Sequence, residues 1–249
     1  MKTKILLNLS YDGTNFLGWA KQPNVRTIQG VLEEYSKKYF WAETKIEGSG
    51  RTDRYVHALN QIATIEFDSN YKVQKTDLKR FKNLINVIFK DLKIKKIQFV
   101  DNSFSPRFNA KKKTYLYKIN TKKNRCAERN KNYQYNYYQK IDFKQFKNDL
   151  QKFIGKQNFA SFTGKEEYQS YFREILSIKA YRKRSKIYVE VTGNGFMRFM
   201  VRNIIGAVLA RNRNKYSEKE FNDLFLNPVR GKNHYKAPGS GLYLKSVNY

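Results

Sequence analysis

Asp53 stands in GSGRTDRYVHA, residues 48 to 58, between two glycines and a histidine and just after Arg51. A carboxylate beside a guanidinium stays ionised, because the cation lowers the carboxyl pKa. Such an anion, exposed to a substrate, is an adequate nucleophile at a sugar carbon. A loop aspartate taken alone is more often an Asx-turn or a helix cap, so residue type does not fix the role. His57, one of two histidines in the chain, reads equally well as a hydrogen-bonded structural residue, and no proton transfer is assigned to it. In KKKTYLYKI (111 to 119), Tyr115 and Tyr117 share one face of a strand. Either packs in a core or stacks under a base. In GNGFMRFMVRNIIGAVL (193 to 209), Gly193 and Gly195 turn into a helix whose start suits a phosphate. Arg198 and Arg202 are four apart, hence on one side of that helix. Arg202 interrupts an apolar stripe of Met197, Met200, Val201, Ile204, Ile205 and Val208. An unpaired guanidinium is costly there, and Asp53 is the obvious carboxylate for it.

The elements that must position these residues alternate in type. ILLNLSY (5 to 11) reads as a strand, and Thr27 caps a helix running to about Phe40 with Ile28, Val31, Leu32, Tyr35 and Tyr39 on one face. A strand near 44 to 49 precedes the glycine loop, and QIATIEF (61 to 67) alternates as a strand. Thr76 is expected to cap a second helix with Leu78, Phe81, Leu84, Ile85, Ile88 and Phe89 at helical spacing, followed by strand IKKIQFV (94 to 100). The second half spells a similar order: KTYLYKI (113 to 119), a helix capped by Asp142, the strand pair 172 to 182 and 186 to 193, a helix from about Phe196 to Ala210, a helix opened by Ser217 with Glu220, and the strand GLYLKSV (241 to 247). Residues 121 to 140, basic and rich in tyrosine, read as a surface excursion that touches RNA. The fold class expected is α+β: two ferredoxin-like, RRM-like βαββαβ units, residues 1–105 with the glycine loop and residues 106–249.

Fifty Lys and Arg against 21 Asp and Glu give a net charge of +29, spread along the whole chain. That balance calls for a polyanionic partner, nucleic acid first and an anionic membrane second. No apolar run approaches the roughly 20 residues that span a bilayer. The N-terminus MKTKILLNLSYDG has no cleavage signal, so a cytoplasmic location is expected. One cysteine excludes a disulfide framework, and with two histidines no zinc cluster assembles. The 19 Tyr and 18 Phe, interleaved with cations, suit unpaired bases, although most of them must be core.

Five blocks now stand in order from Tyr11 to Tyr249: YDGTNFLGWAKQPNVRTIQGVLEE, GSGRTDRYVHALNQ, KKKTYLYKI, GNGFMRFMVRNIIGAVL and APGSGLYLKSVNY. Together they resemble the tRNA pseudouridine synthase A (TruA) family. The resemblance implies a pseudouridine synthase fold with a mainly antiparallel central sheet. It also implies isomerisation of uridine in the tRNA anticodon arm, at positions 38 to 40, by a homodimer without cofactor or metal. Asp53 matches the family's catalytic aspartate, Tyr115 the tyrosine that stacks on the target base, and Arg202 the arginine that pairs with the carboxylate. Arg51 matches an RNA contact, and Leu244, or its neighbour Leu242, the lining of the uracil pocket. Tyr55 and Asn60 stand where glycine is usual. Tyr55 therefore implies either a changed loop or one that needs no positive φ. Two other readings of the residues compete: a non-catalytic RNA-binding protein of tandem RRM-like units, and an RNA hydrolase using Asp53. The hydrolase lacks the second carboxylate or metal ligands that such chemistry needs.

Overall fold

The computed structural model describes residues 1–164 and 167–249. Strands and helices follow in the order β1 (Lys2–Tyr11), α1 (Ile28–Phe40), β2 (Thr44–Gly48), β3 (His57–Asp68), α2 (Lys75–Ile88), β4 (Leu92–Phe99), β5 (Lys112–Asn120), α3 (Arg125–Arg129), β6 (Tyr135–Asn136), α4 (Phe143–Gln151), β7 (Gly155–Asn158), β8 (Phe172–Lys183), β9 (Lys186–Gly193), α5 (Met200–Asn212), α6 (Glu218–Leu226) and β10 (Leu242–Asn248). The fold is α+β, and its contacts divide it into residues 1–111 with 243–249, and residues 112–242. By these contacts residues 106–111 and most of the last strand group with the first unit. The C-terminal residues account for this grouping. Asn248 accepts a hydrogen bond from the Lys111 amide (2.9 Å), and the Tyr249 hydroxyl donates to the Pro106 carbonyl (2.9 Å). Those bonds keep residues 106–111 with the first unit.

In the first unit β4, β1 and β3 lie side by side, each pair antiparallel. The far edge of β3 is shared. Residues 63–67 pair with β2 antiparallel, and His57 and Ala58 pair with Tyr243 and Leu244 of β10 in parallel. β3 can serve both because it is 12 residues long. The Asn60 side chain extends the short parallel contact by donating to the Lys245 carbonyl (2.9 Å), and Lys95 donates to its Oδ1 (2.7 Å). The side chain that replaces the usual glycine thus anchors the last strand. Thr27 caps α1 by accepting from the Gly30 amide, as expected. The cap of α2 is Gln74 instead of Thr76, because the Asp77 carboxylate accepts from the Gln74 amide (2.8 Å) and draws the start back. Leu78, Phe81 and Ile85 of α2 are buried, whereas Leu84 and Ile88 are exposed, so the apolar stripe is narrower than its spacing suggests.

In the second unit β5, β9, β8 and β7 form an antiparallel series, with short β6 parallel to β5. The segment 121–140 is more than an excursion: it holds α3 and β6 and buries Tyr137. Asp142 caps α4, and Ser217 with Glu220 forms the capping box of α6. The expected stripe of α5 is buried, and so are Asn203, Gly206, Ala207, Leu209 and Ala210, so the helix is enclosed nearly all round. It begins at Met200, four residues later than Phe196, because Phe199 lies at φ +65° and breaks the helical path. Among the described residues, no helix is long and apolar enough to cross a membrane.

Candidate active site

The loop between β2 and β3 is held from below by β3. The Ser49 amide donates to the Ile62 carbonyl (2.8 Å), its hydroxyl to Gln61 Oε1 (2.6 Å), and Gln61 Nε2 donates back to the Gly50 carbonyl (2.8 Å). Residues 11–19 hold it from the other side. Tyr11 Oη and Thr52 Oγ1 share a buried hydrogen bond of 2.8 Å, and the Trp19 amide donates to the Thr52 carbonyl (3.0 Å). Burial pushes the Tyr11 phenol well above its ordinary pKa, so it stays a neutral hydroxyl. Two glycines make this approach possible. A Cβ on Gly13 would lie 2.2 Å from the Val56 carbonyl oxygen. One on Gly18, already at φ +95°, would lie 2.9 Å from that of Thr52. Segment 11–19 is itself tied down by Arg26, which forks onto Asp91 (2.6 and 2.8 Å) and covers the Phe16 ring.

Within this clamp Asp53 is half-buried, Thr52 buried, and Arg51 and Arg54 exposed. The Val56 amide donates to the Asp53 carbonyl (3.1 Å), closing a four-residue turn with Tyr55 third, at φ +66°. A left-handed third residue is the mark of a type II turn and normally requires Gly or Asn. The expectation that the loop needs no positive φ fails, because Tyr55 itself adopts it. His57 is buried and stacks on Tyr243 (4.5 Å, 19°), while its Nδ1 accepts from the Gly13 amide (3.1 Å). Asp12 Oδ1 lies 3.3 Å from the same nitrogen, so the histidine is held by contacts within the first unit. Leu244 pairs in register with Ala58 and is fully buried, as Leu242 nearly is.

The remaining candidates belong to the second unit. Tyr115 pairs with Val191 across β5 and β9 and meets Phe196 edge-on (5.1 Å, 82°). Tyr117 is fully buried and donates to the Pro238 carbonyl (2.7 Å). Burial raises its pKa well above the phenol range; Tyr115 is buried as well, at 8% exposure, so both tyrosines pack in the core. Arg202, half-buried in the first turn of α5, donates from Nε to the Ala237 carbonyl (2.9 Å), and the Ala237 amide returns a bond to the Arg202 carbonyl (3.0 Å). That exchange fixes the guanidinium plane. Arg198 precedes the helix and is exposed, so the expected shared helical side is not formed. The two arginines meet instead over the Phe199 ring, at 4.6 and 5.3 Å, and Lys236 approaches it at 4.1 Å. Gly193 lies against β8, where a Cβ would meet the Glu174 carbonyl oxygen at 2.7 Å, and it stands too far from Met200 to open a helix for phosphate. Among the described residues, no three His, Cys, Asp or Glu side chains gather as a metal site.

The model of the tRNA pseudouridine synthase family matches residues 9–109 and 150–249. The chain belongs to that family. It is an isomerase of the pseudouridine synthase class. The tRNA pseudouridine synthase A of Malacoplasma penetrans is 40% identical over 245 residues, covering 98% of each chain. That of Mycoplasma genitalium is 38% identical over 247 residues, covering 97% of this chain and 96% of its own. The enzyme of Thermodesulfovibrio yellowstonii is 32% identical over 256 residues, covering 98% and 99%. The matched family region opens at Leu9 and so includes Tyr11, Gly13, Gly18 and Trp19. Sequence reasoning gave those residues no role; the available signal was a pair of glycines five apart, Gly13 and Gly18, beside two large aromatics.

Proposed function

We propose that this pseudouridine synthase acts on the anticodon arm of tRNA, converting uridine at positions 38 to 40 to pseudouridine, with Asp53 as its catalytic carboxylate. In the reaction the bond from ribose C1′ to N1 breaks, the uracil turns, and a bond from C1′ to C5 forms. N1 ends with a proton and C5 loses one. Every atom that leaves returns, and no electrons are gained or lost, so the isomerisation calls for no cofactor or metal. Asp53 either attacks C1′ or takes a proton from C2′. Arg202 serves as its counter-charge, Tyr115 stacks on the base, Leu244 lines the uracil pocket, and Arg51 contacts the RNA beside the carboxylate. A uridine within a stem must first leave the stack, which costs a few kcal/mol. The net charge of +29 supplies attraction for the phosphates that offsets this cost. The chain works as a homodimer, as the resemblance implies, and in the cytoplasm.

One observation carries the assignment of Asp53: the loop that holds it is clamped between β3 and residues 11–19 while Asp53 itself is only half-buried. Preorganisation of this kind serves chemistry, because a displacement of about 1 Å can cost 100-fold in rate. The test uses an unmodified tRNA transcript with uridines in the anticodon arm, mapped by carbodiimide-dependent reverse-transcription stops. Wild-type protein should give stops at 38 to 40 and Asp53→Asn none, with similar tRNA affinity. Tight binding without stops from either protein would overturn the proposal in favour of simple RNA binding.

A further inference from the structure

The turn that follows Asp53 carries two side chains for which the mechanism has no use. Arg54 and Tyr55 occupy its central positions, and the Arg54 guanidinium lies 4.5 Å from the centre of the Tyr55 ring. Both side chains face solvent, with Tyr55 40% exposed. A stacked pair at a loop tip is often mere decoration, and three facts argue otherwise here. Tyr55 holds φ +66°, a conformation that strains any residue with a Cβ. Glycine would make the same turn without strain, so what tyrosine adds is its ring. The backbone beneath is also pinned: Gly13 meets Val56, Gly18 meets Thr52, Asp53 and Arg54, and Val56 bonds back to Asp53. The pair is therefore displayed at a fixed distance from Asp53, to which Arg54 is directly bonded in sequence. Finally, a guanidinium stacked on an exposed ring presents a π face and a forked phosphate donor together, the two features that recognise an unpaired nucleotide.

We infer that Arg54 and Tyr55 form a substrate-gripping platform, in which the ring stacks on a nucleotide next to the target uridine and the guanidinium takes its phosphate. The inference rests on the proposed tRNA substrate and adds a binding determinant to it. It gives the strained turn a use: a nucleotide displaced when the target uridine leaves the stack would find a replacement surface beside the reacting carboxylate.

The test compares Tyr55→Gly, Tyr55→Asn and Arg54→Ala with wild type, using the same unmodified tRNA transcript. Glycine and asparagine both accept the left-handed turn, so neither variant should melt below wild type by more than a degree or two. Both should raise KM for tRNA about ten-fold, within the range found for a lost base–aromatic stack. Arg54→Ala should raise KM several-fold and lower the slope of log affinity against log salt by about 0.7 to 0.9, one phosphate contact fewer. KM values within two-fold of wild type for Tyr55→Gly and Tyr55→Asn, with normal melting, would overturn the platform. If wild-type protein made no pseudouridine, the substrate assignment would fail instead. Filter binding of the transcript would then still read the platform directly, through an approximately ten-fold weaker affinity of Tyr55→Gly or its absence.

Discussion

Two aromatic residues take the left-handed backbone close to candidate catalytic groups, and they are held in opposite ways. Tyr55 lies two residues after Asp53, and Phe199 three residues before Arg202. Each has a guanidinium over its ring. Around Tyr55 the backbone is gripped while the side chain stands free of the core. Phe199 has cations close to its ring from Arg198, Arg202 and Lys236, and its carbonyl accepts the Asn203 amide (2.8 Å) as the cap of α5. Strain of about 1–3 kcal/mol persists at such positions only where the surroundings over-determine it. In one place the surroundings are glycine-to-backbone contacts, in the other a ring packed under charges. The first arrangement fixes a main chain and leaves side chains available; the second uses the side chain to set where a helix and its arginine begin.

The largest effects should come from removing the space that each arrangement depends on. Gly13→Ala puts a methyl 2.2 Å from the Val56 carbonyl oxygen, and Gly206→Ala puts one 2.3 Å from that of Tyr235, two residues before the Ala237 that orients Arg202. Both contacts are with backbone, so something must move. Each variant should lose at least about 100-fold in kcat/KM, with a melting temperature lowered by several degrees. Normal kinetics in either would show that its clamp does not position the chemistry. Phe199→Gly should be next: it relieves the backbone but removes a ring with cations stacked over it, for a net loss of about 2 kcal/mol in urea titrations. Thr52→Val leaves the buried Tyr11 hydroxyl without that partner and should cost about 1–2 kcal/mol, read in the same titrations. The smallest effect on stability belongs to Tyr55→Gly. Relief of about 1 kcal/mol of strain there is offset by about 0.5–1 kcal/mol of added chain entropy, so its urea midpoint should barely move. Equal losses in Phe199→Gly and Tyr55→Gly would erase the contrast between the two.

Much of this was legible in the sequence where one short-range rule governs. Thr27, Asp142 and Ser217 cap helices because each needs only an amide three residues on or nearer. The alternation in residues 61–67 and 186–193 marks strands buried on one face at least. Long-range choices were not legible. Asp77 outcompetes Thr76 for the start of α2, and Phe199 delays α5, since both depend on geometry that periodicity does not encode. The last strand joins β3 through a register of two residues and the Asn60 side chain, which no local pattern announces. Asp53, Tyr115 and Arg202 could be named as candidates from motifs, but the clamp on the Asp53 loop required contacts between residues about 40 apart in sequence.

The most direct measurement is release of tritium from C5 of uridine-labelled tRNA in a single turnover, with enzyme in excess. Wild-type protein should release the label at anticodon-arm uridines. Asp53→Asn should release less than about a thousandth as fast while binding the same tRNA within about three-fold. An Asp53→Asn protein that retained a tenth of the wild-type rate would contradict the assignment of Asp53 as the catalytic carboxylate.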